Sequence, residues 1–92
     1  MKLQLSTQYK KSLKRILQSG VKVNQRKEVL RFVIDSLLAK KALPLKYRDH
    51  ALTGEWIGFM DCHLEPDLIL IYRINDDILE FLRIGSHSEL FG

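Results

Sequence analysis

The segment Leu68-Ile69-Leu70-Ile71-Tyr72-Arg73-Ile74 contains the longest apolar run in this chain of 92 residues. Its apolar side chains fall on both faces of an extended backbone, which predicts a strand in the centre of a sheet. Pro66 and Asp67 form a turn before it, and Asn75-Asp76-Asp77 is a polar connection typical of a hairpin. Ile78 to Ile84 is therefore predicted as the next strand.

A third strand is predicted upstream, over Glu55 to His63, because its residues alternate between two faces. One face carries Trp56, Gly58, Met60 and Cys62, and the other carries Ile57, Phe59, Asp61 and His63. A short strand, Lys2 to Leu5, is predicted to open the chain.

Two helices are predicted between the opening strand and the other three, each from an apolar stripe at helical spacing. In the first, Ser6 or Thr7 is available as the cap and Gly20 as the stop; in the second, Asn24 is available as the cap and Pro44 lies beyond the end. The stripes consist of Tyr9, Leu13, Ile16 and Leu17, and of Leu30, Val33, Ile34, Leu37 and Leu38. The predicted fold is α+β: an N-terminal strand and two helices on one face of a small, mainly antiparallel sheet of about four strands.

Length and composition are those of one globular domain over residues 1–92, with 46% hydrophobic and 28% charged residues. No apolar run approaches the roughly 20 residues of a membrane span. The amino terminus lacks the apolar stretch of a signal peptide, and Cys62 has no second cysteine to pair with. We therefore expect a cytoplasmic protein, with Cys62 as a small buried hydrophobe rather than a nucleophile.

Charge is divided unevenly along the chain. Residues 1–50 carry 13 Lys or Arg against 3 Asp or Glu, whereas residues 51–92 carry 2 against 8. A basic surface of this kind is typical of proteins that bind polyanions, although a lysine-rich helix taken alone is more often a solvated surface.

Three histidines, His50, His63 and His87, all lie beside predicted turns in the second half of the chain. If the last strand pairs antiparallel with the central one, its end, followed by His87, lies near Asp67, and His63 approaches the same edge through the turn at Pro66. The long connection after the second helix brings His50 toward this edge by topology alone. The uncovered face of the sheet is then the natural place for a substrate.

Histidine both takes and gives a proton near neutral pH, so such a cluster suits RNA cleavage without a metal. One group removes the proton of the 2′-hydroxyl, another protonates the 5′-oxygen, and a cation balances the phosphate in the transition state. Asp67 could hold an imidazole in one tautomer, and Arg83 or Arg73 could supply the positive charge.

Less specific interpretations compete with this one. Isolated histidines are usually surface residues, and Trp56 and Phe59 are expected to be core or rim residues rather than stacking platforms. Three histidines and an aspartate could chemically bind zinc, but histidine separations of 13 and 24 residues match no compact ligand pattern. No metal and no cofactor are therefore expected.

Three motifs in the second half resemble the YafQ branch of the RelE-type toxins of bacterial toxin–antitoxin pairs. The motifs are Tyr47 to Trp56, Asp61 to Tyr72 and Arg83 to Gly92, and the helical half matches in pattern only. The resemblance implies a RelE-like fold and an endoribonuclease that cuts messenger RNA, typically on the translating ribosome. It also implies a neutralising antitoxin, which would be the only route to operator DNA.

The resemblance implies roles for particular residues as well. The catalytic set would be His50, His63, Asp67 and His87, with His87 as the proton donor and the base left open between His50 and His63. Phe91 would position a substrate base, and Arg83 and Asp61 would assist substrate binding. Leu68 departs from relatives with an aromatic residue there, which puts a second stacking contact in doubt.

Two other classes of function remain open at this stage. One is a non-catalytic RNA-binding or regulatory domain that uses the same basic surface, and the other is an interaction module whose groove receives an antitoxin segment. Cleavage of bound RNA that is lost on substitution of one histidine separates the toxin hypothesis from both.

Overall fold

The computed structural model describes all 92 residues, Met1–Gly92. The regular elements, in chain order, are β1 (Lys2–Leu5), α1 (Thr7–Gln18), α2 (Val23–Leu38), β2 (His50–Ala51), β3 (Met60–Glu65), β4 (Leu68–Asn75), β5 (Ile78–Gly85) and α3 (His87–Phe91). Two single 3-10 turns, Leu45–Tyr47 and Gly54–Trp56, flank β2. None of the helices has the length and apolar character needed to span a membrane.

The sheet has five strands in the order β1-β5-β4-β3-β2. Strand β1 runs parallel to β5, and the other three pairings are antiparallel. The prediction of a mainly antiparallel α+β fold is confirmed, but the expected number of about four strands was too low. The extra strand is β2, whose two residues pair with Asp61 and Met60; so short a strand has no periodicity of its own to detect.

Strand β4 lies at the centre of the sheet, as its sequence predicts, and its two faces enter different apolar clusters. Leu68, Leu70 and Tyr72 pack in the core between the sheet and the two long helices. Ile69 and Ile71 point the other way and form a smaller cluster with Leu90 of α3. Strand β4 is apolar on both faces because both faces are covered, at least in part.

The face opposite the long helices is not bare, contrary to expectation. Besides α3, the connection between β2 and β3 folds across it, so that Trp56 and Phe59 pack against the Ile69 and Ile71 cluster with their rings 5.4 Å apart. The prediction of a strand that begins at Glu55 was therefore wrong, because residues 54–56 form a 3-10 turn and β3 begins at Met60. Trp56 consequently lies on the face opposite Cys62, not on the same one.

The helix caps agree with the sequence at one helix and not at the other. Ser6 caps α1 by accepting from the amide of Tyr9, and its hydroxyl also donates to the carbonyl of Leu82, which ties the helix to β5. Helix α2 begins one residue before Asn24, after Lys22 in a left-handed conformation, with no side-chain cap. Asn24 was therefore wrongly expected as its cap.

Helix α3 has only five residues, so it depends on external contacts for its stability. Ser86 and Glu89 form a reciprocal capping box, and Glu89 also accepts a hydrogen bond from Arg15 of α1 at 2.8 Å. Leu90 is buried against the sheet. These contacts fix the C-terminal segment that begins with His87.

A second ion pair ties α2 to the turn between β3 and β4. Both carboxylate oxygens of Glu65 accept from the guanidinium of Arg26, at 2.8 and 3.2 Å, and the two side chains are only 17% and 24% exposed. The hydrogen bonds from Arg26 lower the pKa of Glu65 below its ordinary value of 4.5. The pair anchors the turn formed by Glu65, Pro66 and Asp67, which we call the β3–β4 turn.

We predict that Arg26→Gln lowers the free energy of unfolding by about 1–3 kcal/mol at pH 7, because charged hydrogen bonds from a mostly buried partner are lost. The pKa of Glu65 is depressed in the folded protein, so the stabilisation is present above pH 4.5 and is lost as the pH falls through the lowered pKa. Urea denaturation of both proteins across this range measures the difference.

Arg15→Gln is the matched control, because its ion pair with Glu89 is 63% and 43% exposed and should contribute less than about 1 kcal/mol. Equal losses for the two variants, or a loss in Arg26→Gln that persists unchanged at about pH 3, would contradict the prediction.

Candidate active site

Strand register places the polar residues of the site on one face of the sheet. His50 pairs with Asp61, Asp61 with Ile71, and Ile71 with Arg83, so these residues form a row across four strands. Directly opposed residues share a face, and the next residues along that face are His63, Ile69 and Gly85. Residues far apart in the sequence therefore become neighbours through backbone pairing.

A cavity of about 380 Å³ lies over this face. All three histidines line it, together with Asp61 and Phe91. Its remaining walls come from Leu52, Thr53, Trp56 and Ile69. The structure thus brings together the histidines that the sequence separates by 13 and 24 residues.

The ring of His50 is held in one tautomer by a backbone carbonyl. Its Nδ1 lies 2.6 Å from the carbonyl oxygen of Arg48 and 3.0 Å from Oδ1 of Asp61. Since a carbonyl oxygen can only accept, the hydrogen is on Nδ1, and Nε2 carries the lone pair when the ring is neutral. The hydrogen bond goes to Arg48, and Oδ1 of Asp61 is left without a hydrogen-bond partner. Its close contact with His50 is therefore mainly electrostatic.

Asp61 is the buried charge of the site, with only 3% of its surface exposed. Burial raises its pKa above the ordinary value of 3.8, and the positive charge available to His50 and His63 works in the opposite direction. The carboxylate lies beside the imidazole of His50, 3.0 Å from its Nδ1. This position suits Asp61 to support His50 more than to contact a substrate.

His63 is positioned by the β3–β4 turn. Its Nδ1 lies 3.3 Å from the carbonyl oxygen of Pro66, which leaves Nε2 with the lone pair, as in His50. The rings of His50 and His63 are 6.5 Å apart, centre to centre. The cavity therefore contains two histidines of the same tautomer, either of which can accept a proton.

Asp67 acts on the backbone of His87 and not on an imidazole. Its Oδ1 accepts from the amide of His87 at 2.9 Å, which satisfies a free N–H at the start of α3. The expected role of Asp67 in holding a histidine tautomer is not what this geometry provides. The carbonyls of Arg48 and Pro66 provide it instead.

His87 and Phe91 form the opposite side of the cavity, one helical turn apart on α3. Their rings are 5.1 Å apart and inclined by 47°. Phe91 is half-buried, so part of its ring remains available to a ligand. His87 itself is exposed to solvent at the cavity.

The two arginines considered for phosphate contact differ in availability. Arg73 pairs with Glu80 at 3.1 Å and lies over the ring of Phe59, 4.9 Å from its centre. Arg83 has no ion-pair partner and lies on the site face opposite Ile71, but it does not line the cavity. Its Nε is buried without a hydrogen-bond partner, so only its terminal nitrogens could meet a phosphate.

Two other expectations concern the helix side of the sheet. Cys62 is fully buried there, and burial raises the pKa of its thiol, so it is a core residue as expected. Leu68 is 7% exposed in the same core. It therefore points away from the cavity and is not placed to stack on a substrate.

Sequence reasoning missed the groups that orient the histidines. Two of them are backbone carbonyls, at Arg48 and Pro66, which no residue type reveals. Arg48 adopts a left-handed conformation with φ of 48°, in which its carbonyl meets the ring two residues later. Asp61 was noticed, but its burial beneath His50 depends on the unpredicted strand β2.

No set of three or more His, Cys, Asp or Glu side chains is arranged to hold a metal ion. The three histidines can each accept a proton from a ligand in the cavity or donate one to it.

Residues 1–92 match the family model described as the bacterial toxin of type II toxin–antitoxin system, YafQ. This chain belongs to the YafQ family. The mRNA interferase toxin YafQ of Escherichia coli K12 is 40% identical over 90 residues, which cover 98% of this chain and 95% of that protein. The sequence resemblance is thereby confirmed over nearly the whole chain.

Solved structures of YafQ-like toxins have the same fold. A copper-bound mutant toxin from Helicobacter pylori superimposes with a TM-score of 0.91 at 42% identity, with 99% of each chain covered. The toxin in the DinJ-YafQ complex of Escherichia coli superimposes with a TM-score of 0.81 at 37% identity, covering 98% of this chain and 97% of that one.

We predict that Asp61→Asn lowers the rate of RNA cleavage without lowering the stability of the fold at pH 7. The raised pKa means that Asp61 favours the folded state when protonated, below pH 3.8, and that this contribution is lost as the pH rises through the raised pKa. The variant should therefore be at least as stable as the wild type at pH 7, with a difference that shrinks toward zero in acid. RNA cleavage should fall about 10- to 100-fold, less than removal of a whole general base, because only the charge supporting His50 is lost.

Urea denaturation and cleavage rates, measured on the same preparations, test both halves of this prediction. Glu55→Gln is the control, since Glu55 is exposed and does not line the cavity. A variant that is clearly destabilised at pH 7, or that cleaves as fast as the wild type, would contradict it.

Proposed function

We propose that the cavity is the active site of an endoribonuclease that cleaves messenger RNA by metal-independent acid–base catalysis. Its curated relatives are mRNA interferases, which are endoribonucleases, and this chain shares their family over its full length. The observation that carries the proposal is the convergence of three histidines, from three separate segments, on one cavity above a buried carboxylate.

The first step is removal of the proton from the 2′-hydroxyl. Nε2 of His50 or His63 accepts it, and the 2′-oxygen attacks the adjacent phosphorus. Both rings have the required tautomer. His50 is the stronger candidate, because the Asp61 carboxylate, 3.0 Å from its Nδ1, stabilises the imidazolium that forms.

The second step is protonation of the leaving group. As the bond between phosphorus and the 5′-oxygen breaks, protonated His87 donates its proton to that oxygen. The products are a 2′,3′-cyclic phosphate and a 5′-hydroxyl, and the enzyme has gained one proton and lost one. Asp67 serves this step by fixing the backbone of His87 at the start of α3.

Two further residues bind the substrate in this scheme. The guanidinium of Arg83, which lies on the site face of β5, stabilises the negative charge on the phosphate in the transition state through its terminal nitrogens. The available part of the Phe91 ring stacks on an unpaired base beside the cleaved bond. Asp61 is a positioning residue rather than a substrate contact.

The partners proposed for this toxin are an antitoxin and the translating ribosome, in the cytoplasm. The complex of the Escherichia coli relative with DinJ supports an antitoxin, through which alone operator DNA would be reached. Exposed cations on the two long helices, none of which lines the histidine cavity, suit ribosomal RNA. They are Lys10, Lys11, Lys14, Lys27 and Arg31.

We predict that His87→Ala lowers RNA cleavage at least about 100-fold, because the proton donor is lost. The free energy of unfolding should change little, since the side chain is exposed on a terminal helix. Cleavage is measured on messenger RNA with and without ribosomes, in the presence of EDTA, and the product ends are identified by mass spectrometry.

Ser88→Ala is the control, because Ser88 is exposed on the same helix and does not line the cavity. A folded His87→Ala variant with near wild-type activity would refute the role of His87. Products with 5′-phosphate ends would refute the mechanism. RNA binding by the wild type without cleavage would support the non-catalytic alternative.

A further inference from the structure

A second cavity, of about 330 Å³, adjoins the active site and is not used by the mechanism above. Its walls come from residues 46–48, from residues 63–66 at the end of β3 and in the β3–β4 turn, and from Val29 of α2. His63 lines this cavity and the active-site cavity alike. We call it the lateral cleft.

The lateral cleft is positively charged. Lys46 and Arg48 line it, and both side chains are exposed. Glu65 is its one acidic residue, but that carboxylate is already bound at both oxygens by Arg26. The ammonium of Lys46 is 5.4 Å from the centre of the Tyr47 ring, so a cation–π contact holds it near this wall.

The position of the cleft matches the course of an RNA strand. A phosphate held at the histidines has neighbours on both sides, each with a negative charge, and the strand must leave the active-site cavity past its rim. On the side of α3 the cavity is lined by the aromatic ring of Phe91, whereas His63 lines both this cavity and the lateral cleft with its two exposed cations. Phosphate is attracted to the second exit.

We propose that the lateral cleft binds the RNA phosphate next to the one cleaved, through Lys46 and Arg48. This inference rests on the proposed function and extends it with a substrate subsite. Arg48 has a second link to the reaction, because its carbonyl holds the ring of His50. A phosphate bound by its side chain would therefore be held by the same residue that positions the proposed base, His50.

The test pairs charges on the protein with charges on the RNA. An oligonucleotide with the cleavage sequence, mapped first with the wild type, carries a 2′-deoxynucleotide at the cleaved position so that it binds without reaction. In a set of such oligonucleotides, one phosphate at a time is replaced by an uncharged methylphosphonate. Binding is measured on the form of substrate that the wild type cleaves, free or held on a ribosome.

For the wild type, one replacement beside the cleaved position should weaken binding about tenfold, the size expected for a charged contact worth about 1.4 kcal/mol. In Lys46→Gln combined with Arg48→Gln the same replacement should have no further effect. Glutamine keeps a polar, unbranched side chain and removes the charge. Lys41→Gln, an exposed cation outside both cavities, is the control and should respond as the wild type does.

Full sensitivity of the double variant to every methylphosphonate would overturn the proposal. If its RNA binding is unchanged while its affinity for the antitoxin falls, the lateral cleft is a protein-docking site instead. Failure of the wild type to cleave any messenger RNA would refute the proposed function itself. If the wild type cleaves but the double variant remains as sensitive to each methylphosphonate as the wild type, only the subsite is refuted. Lys46→Gln alone distinguishes loss of charge from disturbance of His50, because of the two cations only Arg48 contacts that ring, through its carbonyl.

Discussion

The antiparallel pairing of β4 with β3 and β5 is the constraint on which the site depends. The register opposes Asp61 to Ile71 and Ile71 to Arg83, and on the next step along the same face it opposes His63 to Ile69 and Ile69 to Gly85. If the register slipped by one residue, the side chains of Asp61 and His63 would point into the core on the helix side, and Cys62 would point out of it. The apolar residues of β4 prevent that slip, because each face of the strand has a different set of partners.

The site is built where the second face is only partly covered. Ile69 and Ile71 form its apolar floor, α3 and the Trp56 segment leave a gap above them, and polar side chains occupy that gap. Asp61 is ionisable, buried and short of a hydrogen-bond partner, which costs stability, and its Oδ1 lies 3.0 Å from Nδ1 of His50. The long helices compensate from a distance, since Arg26 and Arg15 anchor the β3–β4 turn and α3, which carry His63 and His87 toward each other.

The strongly patterned parts of the fold were predictable from the sequence. Helices α1 and α2 and strands β4 and β5 have clear periodicity, and the paired ends of β4 and β5 put His87 beside Asp67 as the topology required. What escaped prediction has no local pattern. Strand β2 has two residues, the alternation over 55–59 imitates a strand where the chain instead crosses the sheet, and the acceptors for His50 and His63 are backbone carbonyls. Such groups depend on where the chain passes in space, which residue identity does not specify.

The most direct test of this account is the tautomer of each histidine in the folded protein, read from ¹⁵N NMR of the ring nitrogens at about pH 8.5, well above the ordinary histidine pKa of about 6.5. Acceptors at Arg48 and Pro66 require the hydrogen on Nδ1 in both His50 and His63, with Nε2 free to accept a proton from RNA. Two rings protonated at Nδ1 would support the proposed chemistry. A hydrogen on Nε2 of both rings would leave the cavity without a base facing the substrate and would contradict it.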